Sequence, residues 1–176
     1  METTKWIIDP THSEIGFKVK HMMFTNVSGY FNEYVATATT DDGFENNADF
    51  QFNATTKSIT TGNADRDNHL ISPDFLDAEN FPSISFNSKA LTKVSKDLYK
   101  LEGDLTLKGI TNPVALNLVY HGVMNDPWGN QKAGFEITGK INRKDWGLNW
   151  NSALEAGGVL VGEEVTLQIE LQFIKQ

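Results

Sequence analysis

Three constellations in this chain combine residue types that could do chemistry. Asp9, His12 and Ser13 place an acid, a base and a hydroxyl within one short stretch. A Ser/His/Asp hydrolase would use these types, but the three are neighbours at an Asp-Pro turn. No strand–turn–helix G-x-S-x-G elbow exists to raise the serine. Hydrogen bonding that fixes the turn is the simpler role. Arg66, Asp67 and His69 form a second, charged cluster beside Leu70 and Ile71. They could clamp a polar head at an opening. Alternatively, Arg66 and Asp67 pair with each other or with a neighbouring loop and pin the segment. Pinning is favoured, because buried Arg and Asp persist only when paired. His21, the third candidate, is in phase with Ile15, Phe17 and Val19 and should point inward near a strand end. There it either meets a ligand head group or is satisfied by a backbone carbonyl, the more ordinary outcome.

Other chemistries find little support. The histidines at 12, 21, 69 and 121 have no i, i+2 or i, i+4 partner, and no H-E-x-x-H occurs. Without cysteine there is no thiolate ligand, disulfide or cysteine nucleophile. No phosphate-binding glycine loop is present. The expectation is a protein with no metal and no cofactor, and not an enzyme.

The elements that must position these groups read as strands. Ile15–His21, Phe50–Phe52, Tyr99–Leu107, Val114–Tyr120, Phe135–Ile141 and Val165–Phe173 alternate apolar and polar residues. Period two over such lengths means strands with one buried and one wet face. Asp41-Asp42-Gly43 ends one run, Lys108–Pro113 reads as a hairpin connection, and Asn125–Asn130 as a longer loop. Roughly eight to ten strands at this spacing indicate an all-β sandwich or barrel. Two short helices are expected: Pro73–Asp77 behind a Ser72 N-cap, and one begun by the capping box Ser152–Glu155. A single domain over 1–176 follows from the length and the absence of a linker.

Arg66–Phe86, RDNHLISPDFLDAENFPSISF, interrupts the alternation with charge, histidine, proline and large apolar groups. Set into a closed sheet, it reads as a lid or a pinned plug. Trp146 and Trp150 could plug one barrel end or line a mouth, and plugging is the plainer reading. Closing a long meander removes its edges, and a barrel of about eight strands either fills with side chains or holds one small ligand. Periodicity does not separate a packed interior from a lined cavity.

A formal net charge of −8 repels phosphate backbones and anionic membranes, which disfavours nucleic acid as a partner. No apolar run is long enough for an integral membrane segment. With no signal peptide visible, the expectation is a cytoplasmic protein, or a periplasmic one if the chain is a mature form behind a start Met.

Further motifs carry a resemblance: Trp6–Ser13; Phe17, Val19 and His21; Gly29 with Phe31; Arg66–Leu70; Asp74-Phe75; Phe81-Pro82, Ile84 and Phe86; Gly103–Thr111; Arg143, Asp145 and Gly147; and Val161–Glu163. In order and spacing they cover nearly the whole chain, which resembles the YceI-like family of bacterial lipid-binding proteins. The resemblance implies an extended, lipocalin-like antiparallel β-barrel of about eight strands. It implies a long internal pocket for a polyisoprenoid chain, such as an isoprenoid quinone or related amphiphile, serving transport or storage. A homodimer is compatible with it. The family is not known for catalysis, and its members include secreted proteins and proteins without a signal peptide. It often carries Phe where this chain has Trp146, and the larger ring could shorten the pocket.

The expected ligand-binding set is Phe17, Val19, His21, Phe31, Phe52, Arg66, His69, Leu70, Phe75, Phe81, Phe86, Leu105, Leu107, Leu116, Leu118, Phe135, Ile137, Trp146, Leu167 and Ile169. His21, Arg66 and His69 would lie near the head group. Leu70, Ile71, Phe75 and Phe81 would be the ligand-facing members of the flap. Other classes kept open are a fatty-acid or fatty-amide binder, an enzyme acting on a lipid through His21 or His69, and a stress-response interaction module.

Overall fold

A computed structural model describes residues 2–155 and 157–176. Eleven strands form one sheet: β1 (Thr4–Ile8), β2 (Glu14–His21), β3 (Thr25–Phe31), β4 (Tyr34–Thr40), β5 (Ala48–Thr55), β6 (Ile59–Thr60), β7 (Ser83–Lys93), β8 (Leu98–Leu107), β9 (Ile110–Asn125), β10 (Gln131–Asn142) and β11 (Val161–Lys175). All pairings are antiparallel. The first six strands are three long strands, each broken once. A 3-10 turn at Pro10–His12 separates β1 from β2, Asn32-Glu33 separates β3 from β4, and a 3-10 turn at Thr56–Ser58 separates β5 from β6. The barrel therefore has eight strand positions and closes where β11 meets both β1 (Ile8↔Phe173) and β2 (Ile15↔Ile169). This is the expected all-β barrel.

Alternation sets which side chains face in. Tyr99, Leu101, Leu107, Val114, Leu116, Leu118, Phe135 and Ile137 are all buried, as their phase requires. The interior is nevertheless unequal along its length. At one end Phe44, Phe50, Phe135 and Phe173 interlock with Tyr120, with Phe44 and Phe135 edge-on at 4.8 Å between centroids. Phe44 comes from the loop after β4 and acts as a stopper. At the other end Val165, Leu167 and Ile169 of β11 are only half-buried although they point inward.

The helices differ from expectation. Residues 73–77 form successive turns, with the amides of Phe75 and Asp77 both donating to the Ser72 carbonyl. The helix of this region is α1 (Ala64–Leu70), which starts one loop earlier because the Asn63 side chain accepts from the Arg66 amide at 3.0 Å. Ser152–Glu155 is not helical either. Its loop doubles back, with an Ala153↔Val159 bridge and a Leu154 amide bond to Gly158 O. The β8–β9 hairpin turns on Lys108-Gly109 alone, both at positive φ, and Thr111–Pro113 already belong to β9.

Candidate ligand-binding site

The half-buried inward residues surround a cavity of about 530 Å³ that runs from the barrel interior to one end. This is the size range of small-molecule and lipid pockets. Its floor is Phe50, Leu101 and Phe173, the upper surface of the aromatic stopper. Its walls carry Phe17, Val19, Phe31, Phe52, Phe86, Leu105, Leu107, Leu116, Ile137, Leu167 and Ile169. Polar side chains appear toward the mouth: Lys20, His21, Thr61, Asp65, Arg66, His69 and Arg143.

One side of the mouth is the segment between β6 and β7. Arg66 donates through Nε to Thr61 Oγ1 at 2.7 Å and through a terminal nitrogen to the Thr61 carbonyl at 2.9 Å. The Asp67 carboxylate accepts from the same residue, from its amide at 2.8 Å and its hydroxyl at 2.6 Å. The two charges thus pin the helix by sharing Thr61 in the neighbouring loop, one of the two expected arrangements. The helix then presents Leu70, and the turns after it Phe75 and Leu76, to the cavity. His69 bonds Asp74 at 2.9 Å and packs edge-on against Phe75 and Trp150, at 5.0 and 4.7 Å between centroids.

The opposite side of the mouth depends on Arg143, buried to 3% exposure. Its guanidinium donates to four backbone carbonyls: Gly162 (2.8 Å), Trp150 (3.0 Å), Val161 (3.3 Å) and Leu148. No carboxylate among the described residues bonds it directly. Burial lowers its proton affinity from the ordinary arginine value, partly offset by the charge of Glu163. An arginine still remains protonated in proteins. It therefore acts as a cationic tie that gathers the backbone at Leu148, Trp150, Val161 and Gly162 against the barrel.

Of the expected ligand-binding residues, four do not line the cavity. Leu118 is fully buried among the packed side chains of the closed end. Phe135 is locked in the aromatic stopper. Trp146, 2% exposed, turns away and donates its indole N–H to the Leu105 carbonyl at 2.9 Å, as a structural plug. Phe81 packs over Gly109 of the β8–β9 turn, where a Cβ would stand 2.6 Å from the ring. Ile71 packs against the core beside the flap instead of lining the lumen. The remaining sixteen members of that set, His21, Arg66 and His69 among them, do line the cavity.

Leu76, Leu148 and Leu160 also line it and were not anticipated, while Trp150 takes the mouth position that was the less favoured of its two readings. They lie on loops, where period two gives no signal. Arg143 was legible in principle, since it continues the inward phase of Phe135, Ile137, Gly139 and Ile141.

Asp9, His12 and Ser13 do not form a triad. Asp9 accepts from Thr11 and lies 2.9 Å from His12 Nδ1, while the Ser13 hydroxyl accepts from the Gln172 amide at 3.0 Å. The serine is thus committed to the β11 backbone. Burial alone would raise the Asp9 carboxyl, but hydrogen bonds from Thr11, His12 and Lys132 outweigh it and hold the group well below the usual carboxylate range.

Comparison with known proteins agrees with this geometry. A UPF0312 protein of Staphylococcus aureus (strain N315) is 36% identical over 171 residues, covering 97% of each chain. The crystal structure of the Campylobacter jejuni YceI protein superposes with a TM-score of 0.77 at 29% identity, covering 89% of this chain and 90% of that one. A polyisoprenoid binding domain from Saccharophagus degradans, implicated in plant cell wall breakdown, shares the fold with a TM-score of 0.68 at 14% identity, over 97% and 98% of the two chains. The YceI-like domain profile matches residues 6–173, and the chain belongs to that family.

Proposed function

We propose that this protein binds one long-chain isoprenoid lipid, a quinone or polyprenyl-type amphiphile, inside the barrel and serves as its carrier or store. The observation that supports this most directly is the asymmetry of the interior. One end is sealed by aromatic rings, and the other holds a largely apolar cavity whose charged side chains and histidines gather toward the mouth. Such a space suits a ligand that is hydrocarbon over most of its length and polar at one tip. Burial contributes about 0.8 kcal/mol per CH₂, so a chain is held with few polar contacts. The likeness to a polyisoprenoid binding domain points the same way.

The His69–Asp74 pair is held by Phe75 and Trp150, and the adjacent Ser72 hydroxyl is spent on the His69 carbonyl, which favours a positioning role over catalysis. The test is organic extraction of protein purified without detergent, followed by mass spectrometry, and titration of the delipidated protein with an isoprenoid quinone. A co-purified or titratable isoprenoid is expected. Recovery of fatty acids or fatty amides alone would reassign the ligand class. An empty protein that takes up no quinone would overturn the reading.

A further inference from the structure

The β2–β3 hairpin ends in Met22-Met23-Phe24, which are 44%, 61% and 84% exposed. The backbone there is unusual. Met22 and Met23 have φ of 50° and 66°, and the Phe24 amide closes the turn on the His21 carbonyl at 3.2 Å. Two successive residues at positive φ ask for Asn-Gly or a similar pair, and methionine suits neither position. The tip thus carries backbone strain to display three large apolar side chains, and Phe24 gains no burial in return. Met23 rests on the facing 152–160 loop, where Gly158 makes room: a Cβ there would collide with the methionine sulfur. Val159 of that loop is also exposed.

This apolar tip is continuous with the cavity mouth. Its neighbours Lys20, His21, Val27 and Leu160 line the cavity, and the Met22 amide bonds the Leu160 carbonyl at 2.8 Å. Its charge departs from that of the chain. Residues 15–31 contain no Asp or Glu, in a protein with 23 of them, and they carry Lys18 and Lys20. Neither lysine has a carboxylate partner among the described residues. Glu155 is the acid of the facing loop.

We propose that the Met22–Phe24 tip docks the cavity mouth onto a lipid bilayer, its apolar side chains entering the interface and Lys18 and Lys20 meeting phosphate headgroups. The inference rests on the carrier reading. A long isoprenoid has almost no concentration in water, so a cavity built for one must meet the phase in which the ligand resides. Amphipathic apolar tips flanked by lysines suit that interface.

The experiment compares wild type with the triple variant Met22→Asn, Met23→Gly, Phe24→Ser, whose tip suits the turn and therefore folds at least as well. Both are spun with phosphatidylcholine vesicles, with and without phosphatidylglycerol. Both are also assayed for uptake of a fluorescent polyprenol, presented either in vesicles or in detergent micelles. Wild type is expected to co-sediment, more so with phosphatidylglycerol. The variant is expected to lose co-sedimentation and at least about tenfold in uptake rate from vesicles, with uptake from micelles unchanged. Wild type that stays in the supernatant, or a variant that sediments and loads from vesicles as wild type does, overturns the proposal. So does a wild-type dimer that the variant turns into a monomer, since the tip would then cover a second copy. Uptake from neither source by either protein overturns the carrier reading instead, and co-sedimentation still decides the docking.

Discussion

Phe17 fills the space that a side chain at Gly29 would take. The two residues face each other across the β2–β3 pair, and a Cβ on Gly29 would stand 2.8 Å from Phe17 Cε1. The ring therefore lies against the wall instead of across the lumen, and the missing side chain keeps the cavity open at that level.

Gly29→Ala should push the Phe17 ring into the cavity. Overpacking of this kind costs about 1–3 kcal/mol. The lumen gives the ring room, so the low end is expected. The measurement is paired: a urea midpoint lowered only slightly, with a clear loss of the quinone binding proposed above. Binding at wild-type strength would mean that the ring yields along the wall.

The two ends of the barrel should respond differently to the same truncation. Phe135→Ala removes a ring from the packed stopper and should cost about 3–5 kcal/mol. Leu167→Ala removes side chain that already borders empty space, creates little new void, and should cost below about 1.5 kcal/mol. Equal losses in denaturant unfolding would mean that the interior is filled throughout.

Arg143→Lys keeps the charge but loses the planar fork that reaches four carbonyls. A cost of about 3 kcal/mol is expected from the unpaired buried groups. It should be concentrated in residues 148–162, where amide hydrogen exchange should accelerate while the aromatic stopper stays protected. Uniform acceleration would make Arg143 a general core residue instead of a local tie.

Asp9 links the Pro10–His12 turn to Lys132 of β10, at 3.4 Å. Its carboxyl is depressed in the folded protein, so the unfolded chain binds the proton more readily as pH falls. The contribution to stability is full above the usual carboxylate value, about 4, and drains away as pH drops through that value toward the lower folded one. Asp9→Asn should therefore be clearly less stable than wild type at neutral pH, and the gap should narrow below pH about 4. Urea unfolding across that range checks it. A gap that widens on acidification would contradict the assignment.

The strand alternation made the barrel and most of its inward face legible, because period two is a local property. It did not show where the packed core gives way to open cavity. Phe135 and Ile137 share the inward phase of β10, and Leu167 and Ile169 that of β11. What separates stopper from lumen is Phe44, which arrives from a loop with no periodic signal. The helix boundary was missed for a related reason. Asn63 and Ser72 both offer a capping side chain, and the choice between them follows from Thr61, which anchors Arg66 and Asp67. Trp146 and Trp150 are four residues apart, yet one seals the barrel and the other lines the mouth. The left-handed turn at Gly147, with φ of 74°, sends them to different destinations.

The seam where β11 meets β1 and β2 also bears on how the molecule forms. Trp6 pairs with Lys175, and Ser13 bonds Gln172, so the contacts that complete the wall join opposite ends of the chain. Contacts of such sequence separation are slow to form. Until the fifteen residues of β11 are in place, β10 and the β1–β2 strand present raw edges and the interior has no enclosure. The nascent barrel is thus an open trough. If the protein carries the lipid proposed above, a molecule present during folding would be wrapped by the closing wall without ever passing through the finished mouth.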